Sequence, residues 1–362
     1  MRFVLTDEQR QFGAAIHELL ADADVPAAAR AWADGDHEPG LAIWRALTRA
    51  GVTALAVPES AGGLGASPVD LVVACEELGH HPVPGPVAES VAVIPVLFAG
   101  LAQGEVHRGN FAVAGATSKS PRCGAGPGEG SRWNDWLQAL ATGELIGTLA
   151  APPGLPYALD ADVAGLRLLA EGGGLWLADA GTEVRSIDPA RRLFKARPTQ
   201  QLDDDAGDAI ATAIEYGTLT SAALLLGAGR GLLEASAAHA KTREQFGRPI
   251  GGFQAVKHSL ANVLIGLEFA RPLVYAAAIT LGARAPAAAR DLSAARVACA
   301  DAARLAARTA LQVHGAIGYT RECDISLWLA KVRALSSTWG SQAEHRAIVL
   351  GALTEPGTGP WS

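Results

Sequence analysis

The sequence predicts a mainly α protein with a small middle β domain, and three features of its 362 residues carry that prediction. Apolar residues recur at helical spacing from Thr6 to about Leu101. Short apolar or alternating runs separated by Gly and Asp fill Leu145 to about Arg197. Ala- and Leu-rich helical patterning takes over from Ile210. The order α, β, α divides the chain into residues 1–143, 144–205 and 206–362, with no internal repeat.

The opening stretch, "MRFVLTDEQRQFGAAIHELL", carries acids in its first turns and reads as an amphipathic helix rather than a signal peptide. Pro and Gly at "DHEPG", "VPESAGGLG" and "HHPVPGPV" cut the rest of this region into short helices. "VAVIPVLFAGLA" (Val91–Ala102) is too short to span a bilayer and holds Pro95, so a buried core helix is expected. Thr117–Arg132, "TSKSPRCGAGPGEGSR", has no apolar period and is expected to be mobile; helical patterning returns at "WNDWLQALATGE". "LIGTLAAP", "AGLRLLA", "GLWLADAG" and "TEVRSID" are the strand-like runs of the middle region. The last helical region is interrupted at "FGRPIGG", "GARAPAA" and "HGAIGYT", and its Ala content favours close helix packing.

A net charge of -7 leaves no electrostatic footprint for a phosphate backbone, which argues against nucleic acid as a partner while leaving local Arg clusters free to bind small anions. Cys75, Cys123, Cys299 and Cys323 are scattered, with no CxxC pair. They indicate neither a disulfide framework nor a zinc site. Reduced thiols, a cytoplasmic location, no membrane association and no metal are expected.

Three stretches, in this order, resemble the acyl-CoA dehydrogenase family. "VPESAGGLGASPVDLVVACEELG" (Val57–Gly79) is similar to its Pro-Glu-x-x-Gly-Gly-x-Gly turn and the helix that ends Glu-Glu-Leu-Gly. Alone, a Gly-rich turn between helices is plain punctuation; the length of the match gives it weight. "TREQFGRPIGGFQAVKHSLANV" (Thr242–Val263) resembles the segment Arg-x-x-Phe-Gly followed some residues later by Gln. Without Phe246, Gly247 and Gln254 at matching spacing, Arg243 would read as a solvated residue before a helix. With them, the resemblance implies that Arg243 and Gln254 reach across a subunit interface to FAD held by the neighbouring chain, a guanidinium matching pyrophosphate oxygens. "QVHGAIGYT" (Gln312–Thr320) is similar to a Gln-x-x-Gly-Gly-x-Gly-Tyr turn that also meets the neighbour's FAD, with Gln312, Gly315 and Gly318 in place and Ala316 where a third Gly belongs.

The resemblance covers nearly the whole chain. It implies an N-terminal helical domain, a middle β domain and a C-terminal four-helix bundle that oligomerises. It also implies FAD and an acyl-CoA substrate oxidised between Cα and Cβ, in lipid metabolism, with a Glu base and an acceptor flavoprotein for the electrons. Base and flavin must share one pocket.

The chain departs from the family where that base should be. Counting on from Gln312 leads to "TWGSQAEHR", where Trp339 stands in the Glu position, and an indole cannot take a proton from carbon. The family's alternate position, in "AIEYGTLTSAALLLG", falls on Gly217. Glu215 lies two residues earlier, which on a helix turns a side chain to nearly the opposite face, so it reads first as a solvated Glu near a helix start. Glu322 and Glu344 read as surface charges. In "WLQALATGELIGTLAAPPGLPYALD" the family's Thr-Glu-Pro-x-x-Gly-Ser-Asp loop is replaced by Ala151-Pro152-Pro153 without Ser-Asp, and no Trp-Ile-Thr strand follows.

The contacts a chain makes with its own flavin are therefore eroded, while those offered to a neighbour remain. The expected role is a subunit of an α2β2 acyl-CoA dehydrogenase, resembling the base-lacking partner in steroid side-chain heterotetramers. FAD would be shared with, and mainly held by, a related subunit. Two alternatives stand beside it: a self-sufficient FAD enzyme with Glu215 as a relocated base, and a structural or regulatory subunit without flavin.

Overall fold

Thr6 starts the first helix by a reciprocal cap. Its side chain accepts from the Gln9 backbone N–H, and the Gln9 amide oxygen accepts from the Thr6 N–H, which sets α1 at Asp7–Asp22. The computed structural model describes residues 5–111 and 129–354. After α1 come α2 (Val25–Ala33), capped by Asp24, and α3 (Glu38–Arg49). The Gly-rich turn is next, with Gly62 and Gly65 at positive φ, and then α4 (Pro68–His80), which Ser67 and Asp70 cap in the same reciprocal way as α1.

The Val91–Ala102 run is buried as expected. A π turn at Glu89–Val93 leads into α5 (Ile94–Phe111), with Val91, Ile94, Leu97, Phe98 and Leu101 in the core. Most of Thr117–Arg132, including Cys123, lies outside the described residues. Its last four residues, expected to be mobile, instead belong to α6 (Glu129–Ala141), where Trp133, Trp136 and Phe98 form a ring cluster with centroids 5.1–5.8 Å apart. Those rings lie beyond the Gly-rich run, so its composition hid a helix that tertiary packing holds.

The middle sheet has strands β1 (Gly147–Ala150), β2 (Ala158–Leu159), β3 (Leu166–Glu171), β4 (Gly174–Val184) and β5 (Leu193–Asp203), in the order β1-β3-β4-β5-β2. Only β1 and β3 pair in parallel. The sheet differs from the sequence expectation at two places. "GLWLADAG" and the start of "TEVRSID", read as separate runs, form one strand, because register shifts along β4 let it bend without breaking. The strand grammar also ended at Arg197, whereas β5 continues to Asp203, carried through its polar end by pairing with β4.

α7 (Gly207–Thr242) runs about 54 Å at 1.5 Å per residue. A two-strand hairpin, β6 (Glu244–Gln245) and β7 (Arg248–Pro249), joins it to α8 (Gln254–Gly282), and α9 (Ala288–His314) packs along both helices. α10 (Ile325–Leu335) and α11 (Gln342–Thr354) close the bundle. α7 and α8 are each long and apolar enough to cross a membrane by length and composition; in the fold both are members of this bundle. α4 meets α7 backbone to backbone. A Cβ at Gly79 would lie 2.1 Å from the Leu224 carbonyl oxygen, and one at Gly227 would lie 1.8 Å from that of Glu76. The Gly that ends the Glu-Glu-Leu-Gly motif is thus required by a helix crossing.

Candidate functional site

The turn that carries Trp339 is built into the core. Arg296, fully buried on α9, donates to the carbonyl oxygens of Leu335 and Thr338, at and just beyond the end of α10. Burial without an acid partner lowers its pKa to about 10. His345 Nε2 donates to the Trp339 carbonyl at 2.8 Å, and its Nδ1 pairs with Ser293 Oγ at 3.1 Å. Trp339 takes φ +60°, a conformation an aromatic residue rarely holds, and Gly340 follows at +94°. Its side chain is 3% exposed.

The indole packs directly on Gly217. A Cβ there would stand 2.3 Å from two of its ring carbons. The two positions that the sequence singled out as sites of a lost base, 122 residues apart in the chain, are in contact. A large ring on one and the absence of a side chain on the other are complementary. Neither carries a proton acceptor.

Beside Trp339 lies a cavity of about 640 Å³, walled by Pro153, Leu155, Ile214, Leu292 and Ile348. Its polar side chains are mostly engaged. Thr218 donates to the Ile214 carbonyl, Ser293 pairs with His345, and Glu344 caps α11 through Ser341. The Ser341 backbone N–H holds the exposed Glu344 carboxyl below its usual range, as a helix cap rather than a base. Glu322 is exposed. The loop at Ala151, Pro153 and Gly154 supplies this wall with no hydroxyl or carboxylate. The described lining of this cavity is mostly apolar.

Glu215 is not the solvated helix-start residue that its sequence position suggested. It sits two turns into α7, half buried, and burial alone raises its carboxyl pKa. It lines both the 640 Å³ cavity and a second one of about 730 Å³ bordered by Val96, Gln103, Tyr216 and Arg284. Its offset from Gly217 brings it to the gap between α5, α7 and the α8–α9 connection as well as to the edge of the Trp339 cavity.

The remaining candidates gather at the opposite end of α7. Arg243 caps that helix, its N–H donating to the His239 carbonyl at 2.8 Å, and its own carbonyl accepts from Ile250 N–H at 2.8 Å. Phe246, at φ +54°, tips the hairpin and is 91% exposed. Gln254 is the first residue of α8 and is exposed. Gln312 is exposed on the last turn of α9, Gly315 sits at φ +65° and ψ −141° where a side chain would be strained, and Gly318 is buried against Ile325 and Leu311. Stacked rings of His239 and His314, with centroids 4.2 Å apart, tie the end of α7 to the end of α9. Nothing in the sequence pairs those two histidines.

Guanidinium, amide and a Gly turn open to close backbone approach form a donor set that fits a dinucleotide pyrophosphate. From Gly217 to Arg243 is 26 residues of one helix, about 39 Å. The donor set and the Trp339 cavity cannot serve one ligand within a single chain.

Comparison with known proteins agrees with this architecture. Residues 6–103 match the family description "Acyl-CoA dehydrogenase, N-terminal domain", and residues 206–354 match "Acyl-CoA dehydrogenase, C-terminal domain". The chain is 30% identical to acyl-CoA dehydrogenase IpdE2 of Mycobacterium tuberculosis over 343 residues, covering 93% of this chain and 95% of that protein. In fold it is similar to the ChsE4-ChsE5 complex from Mycobacterium tuberculosis, with TM-score 0.76, 22% identity, and 98% and 99% of the two chains covered. It is also similar to the Tcur3481-Tcur3483 steroid acyl-CoA dehydrogenase, with TM-score 0.75, 21% identity, and 95% and 97% covered. Helical ends, a small middle sheet and the motifs at Val57–Gly79, Thr242–Val263 and Gln312–Thr320 agree with these matches: the chain belongs to the acyl-CoA dehydrogenase family.

Proposed function

We propose that the chain is a subunit of an FAD-dependent acyl-CoA dehydrogenase assembly in which a related partner chain holds the flavin and supplies the base. Residues 1–143, 144–205 and 206–362 are its three domains, the middle one reduced. The bound flavin would accept the two electrons released when an acyl-CoA thioester is oxidised between Cα and Cβ, and an acceptor flavoprotein would take them onward. This chain's part is binding. Arg243 and Gln254 would hold the pyrophosphate, the Gln312–Gly318 turn would approach by its backbone, and Phe246 would cover the edge.

The observation that carries this reading is the contact between Trp339 and Gly217. Both places from which the family removes an α-proton are occupied by a single apolar pair, while an exposed donor set about 39 Å away has no ligand of its own chain to bind. Relatives in solved two-chain assemblies, one titled as a steroid enzyme, favour an α2β2 arrangement and a bulky acyl group. The free thiols of Cys75, Cys299 and Cys323 fit a cytoplasmic setting.

Purification of the chain alone and co-expressed with the related subunit tests the proposal. Bound flavin and thioester oxidation are expected only in the co-expressed assembly. Turnover by the isolated chain with one flavin per subunit would overturn it. A specific observation favours a second reading: Glu215 is a half-buried carboxyl with a raised pKa between two cavities. Glu215→Gln separates the two. The assembly retains its turnover if the partner supplies the base and loses it by several orders of magnitude if Glu215 does.

A further inference from the structure

A cluster of histidines lies away from both regions described above. His17 on α1, Glu77 and His80 on α4, and His81 at the α4 C-terminus each offer one ligating atom within 4.8 Å of the others. Every pair of the three rings has centroids 4.8–5.0 Å apart. We propose that these four residues form a zinc site that fastens α1 to the crossing of α4 with α7.

Hydrogen bonding leaves the cluster unfinished. His17 Nδ1 lies 2.9 Å from Glu77 Oε2 and 3.3 Å from His81 Nε2, so one ring nitrogen faces two partners although it has a single proton or lone pair to offer. A cation at their centre removes that conflict. His80 is 7% exposed; its Nε2 faces the Glu234 carboxylate at 3.0 Å, and its Nδ1 is buried without a hydrogen-bond partner. A proton on Nε2, donated to Glu234, leaves the Nδ1 lone pair directed inward. That carboxylate–imidazole pairing is the outer support that metal-bound histidines use to fix tautomer and orientation.

Three imidazoles and one carboxylate are borderline donors that suit Zn²⁺ better than Mg²⁺ or Ca²⁺, which prefer oxygen. Donors about 2.0–2.1 Å from a tetrahedral ion stand about 3.3 Å apart. Two of the observed spacings, 2.9 and 3.3 Å, both to His17 Nδ1, are already near that value, and no pair of ligating atoms exceeds 4.8 Å, so small side-chain rotations of His80, His81 and Glu77 close the rest. Arg230 is held by Glu77 and Glu76 at 2.8 and 3.0 Å, and Arg271 pairs with Glu76 at 3.1 Å. With Glu234 added, acids outnumber bases around the site. The expectation of no metal came from the cysteines, which take no part.

The test uses the full chain, in whatever assembly it is obtained, made without a polyhistidine tag and stripped with chelator. Titration with Zn²⁺ is expected to show one tight site per chain, and substitution with Co²⁺ to give visible d–d bands of tetrahedral coordination. His17→Ala and His81→Ala each lower Zn²⁺ affinity at least 100-fold and abolish those bands. Glu234→Gln, which touches only the second ring of contacts, lowers affinity about 10- to 100-fold. His17 is on the surface side of the cluster, so His17→Ala keeps the melting temperature of the metal-free chain and separates lost binding from lost folding. No stoichiometric Zn²⁺ binding, or binding unaffected by His17→Ala and His81→Ala, would show a hydrogen-bonded cluster only and overturn the proposal.

Discussion

Trp339 is defined by what it touches. Anchored through Arg296 and His345, its indole lies where a carboxylate in the same turn would meet Gly217. Trp339→Glu alone is therefore expected to restore no thioester oxidation to the isolated chain, because the described lining of the cavity remains mostly apolar. A steady-state assay with added FAD checks this, and ready rescue would mean that the middle sheet holds flavin after all. Asp160 shows a different consequence of burial. Its Oδ1 accepts from Trp32 Nε1 at 3.2 Å and from the Arg192 N–H at 3.0 Å, while Oδ2 is buried without a partner. Burial raises its pKa to about 7. In the unfolded chain the carboxyl ionises near pH 3.8, so its stabilising effect is full below that value and is lost as pH rises through about 7. Unfolding free energy should fall by a few kcal/mol between about pH 4 and pH 7, and Asp160→Asn should flatten most of that slope in denaturant titrations across pH. Glu89, buried and likewise raised, accounts for a shallower remainder. An unchanged slope in the variant would remove Asp160 from the explanation.

At the scale of elements, legibility followed the range of the forces involved. The acid-bearing amphipathic start, the Gly turn before α4 and the apolar Val91–Ala102 run are local signals, and helices formed where those signals stand. The polar end of β5 and the start of α6 were missed, because one is held by its partner strand and the other by packed rings. The α4–α7 crossing lies between these cases. Gly79 and Gly227 are visible in the sequence, but their pairing is not. Gly227→Ala would drive a methyl into the Glu76 carbonyl and should destabilise the chain by roughly 1–3 kcal/mol, far more than a helix-interior Gly→Ala change at an open site such as Gly266, whose nearest neighbour stands 3.8 Å away. Paired chemical denaturation curves decide it; equal effects at both sites would mean that the crossing adjusts freely.

For the whole molecule, the two ends of α7 face different tasks. Trp339 packs on Gly217 toward one end, and at the other Phe246 and Gln254 are exposed beside Arg243. Arg243→Ala should lower flavin retention of the co-purified assembly about 10-fold, with dialysis and absorbance as the readout, since a charge-assisted phosphate contact is lost. Unchanged flavin content would count against contribution across an interface. α8 adds an outward apolar stripe of Ile265, Phe269 and Leu273, spaced four residues apart, and the proposed assembly assigns its cover to a neighbouring subunit. Phe269→Asp should shift the assembly toward smaller species in light scattering, whereas an unaltered mass would leave that stripe outside the interface.

By itself the sequence determined the order of helical and sheet regions and the family, because periodicity and short motifs act over a few residues. Only the tertiary structure decided that Trp339 rests on Gly217, that Glu215 is half buried between two cavities, and that His17 meets Glu77, His80 and His81. Each of those contacts is made when distant helices pack, and local spacing carries no record of which faces will meet.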